Sequence, residues 1–237
     1  MNQPDVAAWL AVWQRRKFTL DQTNADFLQA LIDVDGFDSG AGRIKADAWR
    51  SYVCSVADRL GLSPGKQVFE VGCGAGAFLY VLRELGATVS GIDYAENLVR
   101  IAQEAIPDGV FLHAEALHMP VAEQVDHVLA NSVFHYFPTE AYAEAVLFAM
   151  MNKARTSLAI LEVPDAARQV ASERARRDCL SEQEYEIRYK DLAHRYYQRE
   201  WFYSMAEKNG FSCEISDQSI NGYAQNQFRF NCFMTRK

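Results

Sequence analysis

The sequence predicts an α/β fold in which a doubly wound, mostly parallel, seven-stranded sheet carries helices on both faces. Between residues 67 and 163, short apolar runs alternate with segments of helical periodicity, which is typical of parallel sheets. A glycine-rich turn, residues 72–76, joins the first strand to the helix after it. Two more apolar runs, residues 211–215 and 228–233, predict an antiparallel C-terminal edge, and the first 60 residues predict a helical N-terminal lid.

A single domain accounts for the whole chain. Its 237 residues are 49% hydrophobic and 23% charged, as expected for one globular domain with a sizeable core. We divide it into a helical N-terminal segment (1–60), a core (61–163), a helical insertion (164–208) and a C-terminal strand pair (209–237).

Charge and cysteine content exclude several classes of partner. The net charge of −7 argues against nucleic acid, which is bound by clustered lysine and arginine. No apolar run approaches the ~18 residues that a membrane span needs, and no signal peptide is recognisable. The five cysteines are scattered, without a metal-binding spacing. We therefore expect a cytoplasmic protein without a nucleic-acid, membrane or metal partner.

The predicted elements follow in chain order. Residues 5–13 have the pattern of an amphipathic helix. Residues 33–42 contain three glycines among aspartates and predict a loop, and residues 46–60 predict a helix that Gly61 stops. The core strands are predicted at 67–71, 87–92, 110–112, 125–130 and 157–163, with helices after Gly76 and around 98–105 and 142–151. Residues 165–208 predict charged helix, and 211–215 and 228–233 predict the last two strands.

The glycine-rich turn has the features of a ligand-binding loop. Gly72, Gly74 and Ala77 fit the G-x-G-x-x-A pattern, in which glycines allow a sharp turn and a close approach of ligand to backbone. The following helix presents unpaired N–H groups. On its own the pattern fits a dinucleotide site or a purely structural turn.

Two acidic residues narrow the choice of ligand. Glu70 lies two residues before Gly72, where a carboxylate disfavours a pyrophosphate but favours the ammonium group of a methionine moiety. Asp93 ends the second strand, 21 residues after Gly72, where a carboxylate accepts hydrogen bonds from ribose hydroxyls.

These segments resemble the class I S-adenosylmethionine-dependent methyltransferase family. Residues 68–76 are similar to its first motif, 91–94 to its second, 114–120 to its adenine segment and 126–132 to its fourth-strand motif. The resemblance implies S-adenosylmethionine as cofactor and S-adenosylhomocysteine as product. It also implies that Glu115 stands where an aspartate is commoner.

The resemblance implies a contact for each motif residue. The methionine part lies on Gly72, Cys73 and Gly74, near Glu70 and within the loop that Gly76 ends; Asp93 holds the ribose; Tyr94, Glu115 and Ala116 meet the adenine; Asn131 lies beside the sulfonium.

Three residues are candidates for the chemistry of the acceptor. Methyl transfer needs alignment and, for O–H or N–H⁺ acceptors, removal of a proton, so the base belongs at the carboxyl edge of the sheet. His135 follows strand four, Glu162 ends strand five, and His194 lies in an aromatic-rich segment. The alternatives are a packing role for His135, a solvent-exposed Glu162, and core packing for the aromatic residues. Arg229 is interpreted as a surface residue.

The predicted function is methyl transfer to an oxygen or nitrogen atom of a small-molecule acceptor, of the kind found among natural-product and secondary-metabolite intermediates. Residues 1–60 and 164–208 are expected to form its lid and acceptor wall. An NAD(P)-dependent oxidoreductase is the first alternative, although no Tyr-x-x-x-Lys spacing occurs. A non-catalytic nucleotide-binding module is the second. Both a monomer and a homodimer fit the sequence.

Overall fold

A computed structural model describes residues 4–17, 27–38, 42–178, 181, 183 and 192–237. Within them the strands are β1 (Gln67–Val71), β2 (Thr88–Asp93), β3 (Val110–His113), β4 (Val125–Asn131), β5 (Ala154–Pro164), β6 (Phe211–Asp217) and β7 (Arg229–Arg236). The α-helices are α1 (Val6–Gln14), α2 (Phe27–Val34), α3 (Ala46–Leu60), α4 (Ala77–Glu84), α5 (Glu96–Ala105), α6 (Glu140–Lys153), α7 (Gln169–Asp178) and α8 (Arg199–Lys208).

The sheet confirms the predicted fold class. Its seven strands have the order β3-β2-β1-β4-β5-β7-β6; β1 to β5 are parallel, and β7 runs antiparallel to both β5 and β6. The chain order of the strands reverses between β1 and β4. In such sheets a crevice opens there at the carboxyl ends of the strands, and ligands bind in it.

The strands are buried because helices cover both faces. All seven residues of β4 are buried, as expected for a central parallel strand, which has no solvent face. Helices α2 to α5 supply the apolar residues of one core, and α6 and α8 supply those of the other. No helix in the described part of the chain is long and apolar enough to cross a membrane.

The N-terminal segment follows the prediction closely. Asp5 caps α1, since its Oδ1 accepts from the N–H groups of Ala7 and Ala8. Gly61 ends α3 with φ 72°. The predicted loop begins after α2, although its residues 39–41 lie outside the described part.

The charged segment is less helical than predicted. Residues 192–198 are not helical, and Tyr197 forms an isolated bridge with Asp165. Its N–H donates to the carbonyl of Pro164, and its carbonyl accepts from the N–H of Ala166. These contacts with the end of β5 compete with helix formation. Most of the predicted helix between α7 and residue 192 lies outside the described part.

Candidate functional site

A cavity opens at the carboxyl ends of β1, β2 and β4. The core contributes Glu70, Gly72, Cys73, Gly74, Asp93, Tyr94, Glu115, Ala116, Asn131 and Ser132 to its wall. The N-terminal segment contributes Val6, Trp13, Asp35, Phe37 and Trp49. The crevice between β1 and β4 thus collects nine of the ten predicted cofactor residues.

The glycine loop requires its glycines. Gly72 and Gly74 have φ 70° and 53°, which L side chains rarely adopt. A Cβ atom on Gly72 would also overlap the side chain of Val133, well inside 3.0 Å. Gly76, with φ 86°, is the tenth predicted residue; it packs against Ala102 of α5 rather than lining the cavity.

Asp93 ties the end of β2 to this loop. One carboxylate oxygen accepts from the N–H of Gly74 at 2.9 Å, and the other from the N–H of Ala95 at 2.8 Å. Burial raises the pKa of this carboxyl above its usual range. Each oxygen keeps a second lone pair, which is what hydrogen bonding to ribose hydroxyls needs.

Glu70 is the feature of the cavity that most clearly requires a ligand. Only 2% of this residue is exposed, and no group in the described part of the chain hydrogen-bonds its Oε2. Burial raises the pKa of its carboxyl well above the ordinary value, and Asp35 and Asp93 add to that effect. Buried polar groups nearly always have partners, so a positively charged or hydrogen-bonding ligand fits here.

The opposite end of the cavity contains the predicted adenine residues. The Tyr94 hydroxyl is buried without a hydrogen-bond partner in the described structure. Glu115 is exposed, and its Oε2 accepts from the Tyr142 hydroxyl at 3.5 Å. Asn131, at the end of β4, accepts from the Tyr52 hydroxyl at 3.3 Å.

The three candidate acceptor-side residues do not line the cavity. The rings of His135 and His194 lie 4.7 Å apart, and Trp9 of α1 stacks on His194. Burial lowers the pKa of both imidazoles well below 6.5 and keeps them neutral. The structure therefore brings the two histidines together behind Tyr136, which does line the cavity. A catalytic role for them stays a prediction.

Glu162 lies at the centre of a buried polar network. It is 2% exposed, so the solvent-exposed alternative is wrong. It accepts from Ser132 Oγ at 2.9 Å and from the Tyr223 hydroxyl, and it forms an ion pair with Arg229 at 3.1 Å. Arg229 is itself buried, so its interpretation as a surface residue is wrong too; the strand next to β5 turns it inward, towards Glu162.

Sequence reasoning assigned the N-terminal segment to the acceptor wall but named neither its individual aromatic residues nor Asp35. Trp13, Phe37 and Trp49 line the cavity, and the aromatic content of the first 60 residues was the only signal for them. Asp35 accepts from the N–H groups of Ala75 and Ala77, 40 and 42 positions along the chain. No local pattern announces so distant a contact.

Residues 69–151 match the methyltransferase domain family. This match begins inside β1 and runs through β4 into α6, so it includes the glycine loop, Asp93 and Asn131. This part of the chain is therefore similar to the methyltransferase domain family, and residues 1–68 and 152–237 lie outside the match. Two solved structures of the same fold contain S-adenosylmethionine and S-adenosylhomocysteine, which are the predicted cofactor and product.

Curated relatives match only part of this chain. A ubiquinone biosynthesis O-methyltransferase of Pseudomonas fluorescens is 33% identical over 103 residues, which are 41% of this chain and 44% of the relative. A trans-aconitate 2-methyltransferase of Afipia carboxidovorans is 32% identical over 75 residues, 31% of this chain and 29% of the relative. The matched stretches span less than half of each of these two relatives.

Solved methyltransferases share the fold over nearly the full chain. Magnesium protoporphyrin IX methyltransferase from Synechocystis PCC 6803 has a TM-score of 0.59 at 19% identity, covering 98% of this chain and 92% of its own. N-methyltransferase NodS from Bradyrhizobium japonicum has a TM-score of 0.60 at 13% identity, covering 97% and 96%. At these identities the likeness concerns the fold alone.

The methyltransferase cofactor fits the residues that are present. Its methionine ammonium meets the need of the unpartnered Glu70 carboxylate, and its ribose meets the free lone pairs of Asp93. The bare backbone at Gly72 and Gly74 permits a close approach.

Proposed function

We propose that this chain transfers a methyl group from S-adenosylmethionine to an oxygen or nitrogen atom of a small molecule. The unpartnered Glu70 carboxylate carries the proposal, because it lines the same cavity as the glycine loop and Asp93. When bound, the cofactor supplies a methyl group already activated on a sulfonium. The protein then has to bind, orient and exclude water.

The cofactor residues divide the work along the cavity. Gly72, Cys73 and Gly74 support the methionine part, with Glu70 facing its ammonium. Asp93 accepts from the ribose hydroxyls. The adenine lies between Tyr94 and the segment that begins at Glu115 and Ala116, and Asn131 lies beside the sulfonium. All of these residues line the cavity, which supports the assignment.

The acceptor lies against the aromatic side of the cavity. Trp13, Phe37, Trp49 and Tyr136 line it there, and such a wall suits a planar organic acceptor, including a natural-product or secondary-metabolite intermediate. The names of the relatives refer to ubiquinone biosynthesis and to trans-aconitate, both small-molecule chemistry. With the net charge of −7, they favour a small acceptor over nucleic acid.

Proton removal from an O–H or N–H⁺ acceptor is assigned to Ser132 and Glu162. Ser132 lines the cavity and donates to the Glu162 carboxylate, so an acceptor proton can pass through this hydroxyl. His135 and His194 lie behind Tyr136, and we assign them the positioning of that ring. The scattered cysteines further support a cytoplasmic enzyme.

Calorimetric titration of the purified chain with S-adenosylhomocysteine and with NADH tests the cofactor. We expect S-adenosylhomocysteine alone to bind. Asp93→Asn should lower the affinity for S-adenosylhomocysteine at least tenfold, because one oxygen acceptor is lost. Asp108→Asn, an exposed aspartate paired with Arg83 away from the cavity, is the matched control and should bind like the wild type. A chain that binds NADH but does not bind S-adenosylhomocysteine would refute the proposal.

A panel of acceptors then tests the transfer itself. Phenols, catechols and amines are incubated with S-adenosylmethionine carrying a labelled methyl group, and labelled product is counted. Transfer to at least one O–H or N–H acceptor should depend on Ser132, so Ser132→Ala should lower the rate more than tenfold. If none of these acceptors is labelled although the cofactor binds tightly, the result would favour a non-catalytic binding module.

A further inference from the structure

Asp35 crosses from the N-terminal segment to the glycine loop. It follows α2 directly, and its Oδ1 accepts from the N–H of Ala75 at 2.6 Å while its Oδ2 accepts from the N–H of Ala77 at 3.1 Å. A Cβ atom on Gly74 would overlap this carboxylate. A carboxyl group therefore lies at the first turn of α4 and lines the cavity.

The charges around Asp35 are unbalanced. Glu70 and Asp93 line the same cavity, and no lysine, arginine or histidine of the described residues lines it. Arg16 is the cation that faces Asp35 from the N-terminal segment, but it already pairs with Asp38 and donates to the carbonyl of Asp33. Three carboxyl groups thus converge without a counter-charge of their own.

The protein meets this imbalance with protons. Burial raises the pKa of Asp35 to about 7, against the effect of its two backbone hydrogen bonds, and Asp93 raises it further. Burial also raises the pKa of Glu70 and of Asp93, and that of the neighbouring Cys73 thiol, which stays neutral. A cation in the cavity would favour the charged carboxylates instead.

We propose that Asp35, together with Glu70, binds the ammonium group at the methionine end of the cofactor. This inference rests on the proposed function and adds a residue outside the sequence motifs. Two independent observations meet in it: Asp35 is docked on the loop by hydrogen bonds, and Glu70 Oε2 lines the same space without a partner. Proton release accompanies binding, because the ammonium stabilises the ionised carboxylates.

A simpler role for Asp35 is that of a cap for α4. An acceptor at a helix N-terminus stabilises the helix whatever ligand is present. A cap would therefore weaken the binding of every ligand that rests on the glycine loop, with or without an amino group. An ammonium contact affects only ligands that carry the amino group.

Two ligands separate these roles. S-adenosylhomocysteine carries the ammonium, whereas its deamino analogue has the same adenosine, thioether and carboxylate but hydrogen in place of the amino group. Asp35→Asn should weaken the binding of S-adenosylhomocysteine at least tenfold and change the Kd of the deamino analogue less than twofold, by calorimetry at pH 8. Asp33→Asn is the matched control, since its acceptor oxygen still meets Gln29, and both Kd values should stay unchanged.

The other outcomes overturn the proposal. If Asp35→Asn weakens the binding of both ligands equally, Asp35 is only a helix cap. If it weakens the binding of neither, Asp35 does not contact the ammonium group. A wild-type chain that binds neither ligand would refute the proposed function itself, which is a different result from a selective failure of Asp35→Asn.

Proton release gives a readout that needs no variant. Wild-type titrations near pH 7 in two buffers of different ionisation enthalpy should show protons released with S-adenosylhomocysteine and none released with the deamino analogue. The affinity for S-adenosylhomocysteine should rise as the pH increases from 6 to 8, since binding favours the ionised form. A flat pH profile without proton release would overturn the proposal even if Asp35→Asn failed to fold.

Discussion

Asp93 serves the fold and the ligand with the same two oxygen atoms. It hydrogen-bonds the N–H groups of Gly74 and Ala95, so it fixes the loop before any ribose arrives. Asp93→Ala should therefore lower the free energy of unfolding by about 1–3 kcal/mol and should also weaken cofactor binding. Urea denaturation measures the first effect without ligand, and Asp108→Ala, at an exposed position, should leave the urea midpoint unchanged. Equal stability of the two variants would contradict the structural role.

The Glu162 network combines buried charges with a strained backbone. Ser132 and Glu162 both have φ 59°, a costly conformation for side chains other than glycine. Their hydrogen bond and the Arg229 ion pair hold them there. Glu162→Gln would leave Arg229 buried without its counter-ion and should cost about 3–5 kcal/mol of folding free energy.

Tyr223→Phe tests the same network more gently. It removes one donor to the Glu162 carboxylate but keeps the charge pair, so it should cost about 1–3 kcal/mol. Urea unfolding curves of both variants give the comparison. A Glu162→Gln protein as stable as Tyr223→Phe would mean that the ion pair with Arg229 contributes little.

At the scale of elements, the loop between β1 and α4 depends on empty space at Gly72. Gly72→Ala combines an unfavourable φ with overlap on Val133. Gly61→Ala is a matched control, with φ 72° and nothing within 4 Å of the added Cβ. The control should cost about 1–2 kcal/mol, the strain alone, whereas Gly72→Ala should cost more and weaken cofactor binding.

A double variant separates the overlap from the strain. Val133→Ala makes room for the new methyl group, so the cost of Gly72→Ala should fall in that background towards that of Gly61→Ala. Unfolding free energies of the four proteins complete the cycle. If the costs add without interaction, the overlap has been relieved by a shift of the loop.

The elements that sequence predicted are those with local signals. Strand β4 is a continuous apolar run, and Gly61 and the capped α1 have standard helix-end chemistry. The motif residues of the cavity were found because each stands at a fixed offset from a strand end. Asp35 and Arg229 were missed because their partners are distant in sequence, and a charged residue without a local partner looks like a surface residue.

At the scale of the whole molecule, the buried histidines set the acid limit of stability. His127, His135 and His194 all have a pKa lowered from 6.5, chiefly by burial. Such groups add stability above pH 6.5, and this stability is lost as the pH falls below 6.5, because the unfolded chain then binds protons that the folded chain does not. The pKa of Asp35 is raised, so its carboxyl group has the opposite effect: the stability that it adds at low pH is lost as the pH rises from 4 to 7.

Replacing one of the three histidines isolates its contribution to the pH dependence of stability. His135→Phe keeps a buried ring, and the Nδ1 atom that it removes has no partner in the described structure. The urea midpoint should fall less between pH 7.5 and pH 5.5 in this variant than in the wild type. Identical falls would show that His135 takes up a proton in the folded protein. Methyl transfer by the variant at pH 7.5 also tests whether His135 contributes to the chemistry.

The position of β7 constrains how this molecule is made. It follows β6 in the chain but lies between β5 and β6 in the sheet. During synthesis on the ribosome, β6 emerges before β7, the strand that connects it to the rest of the sheet, so the backbone N–H and C=O groups of β6 have no partner strand until β7 follows. Only when residues 229–236 have left the exit tunnel can β7 pair with β5 on one side and with β6 on the other. The strands that border the crevice, β1, β2 and β4, all precede β6 and β7 in the chain and are therefore synthesised first.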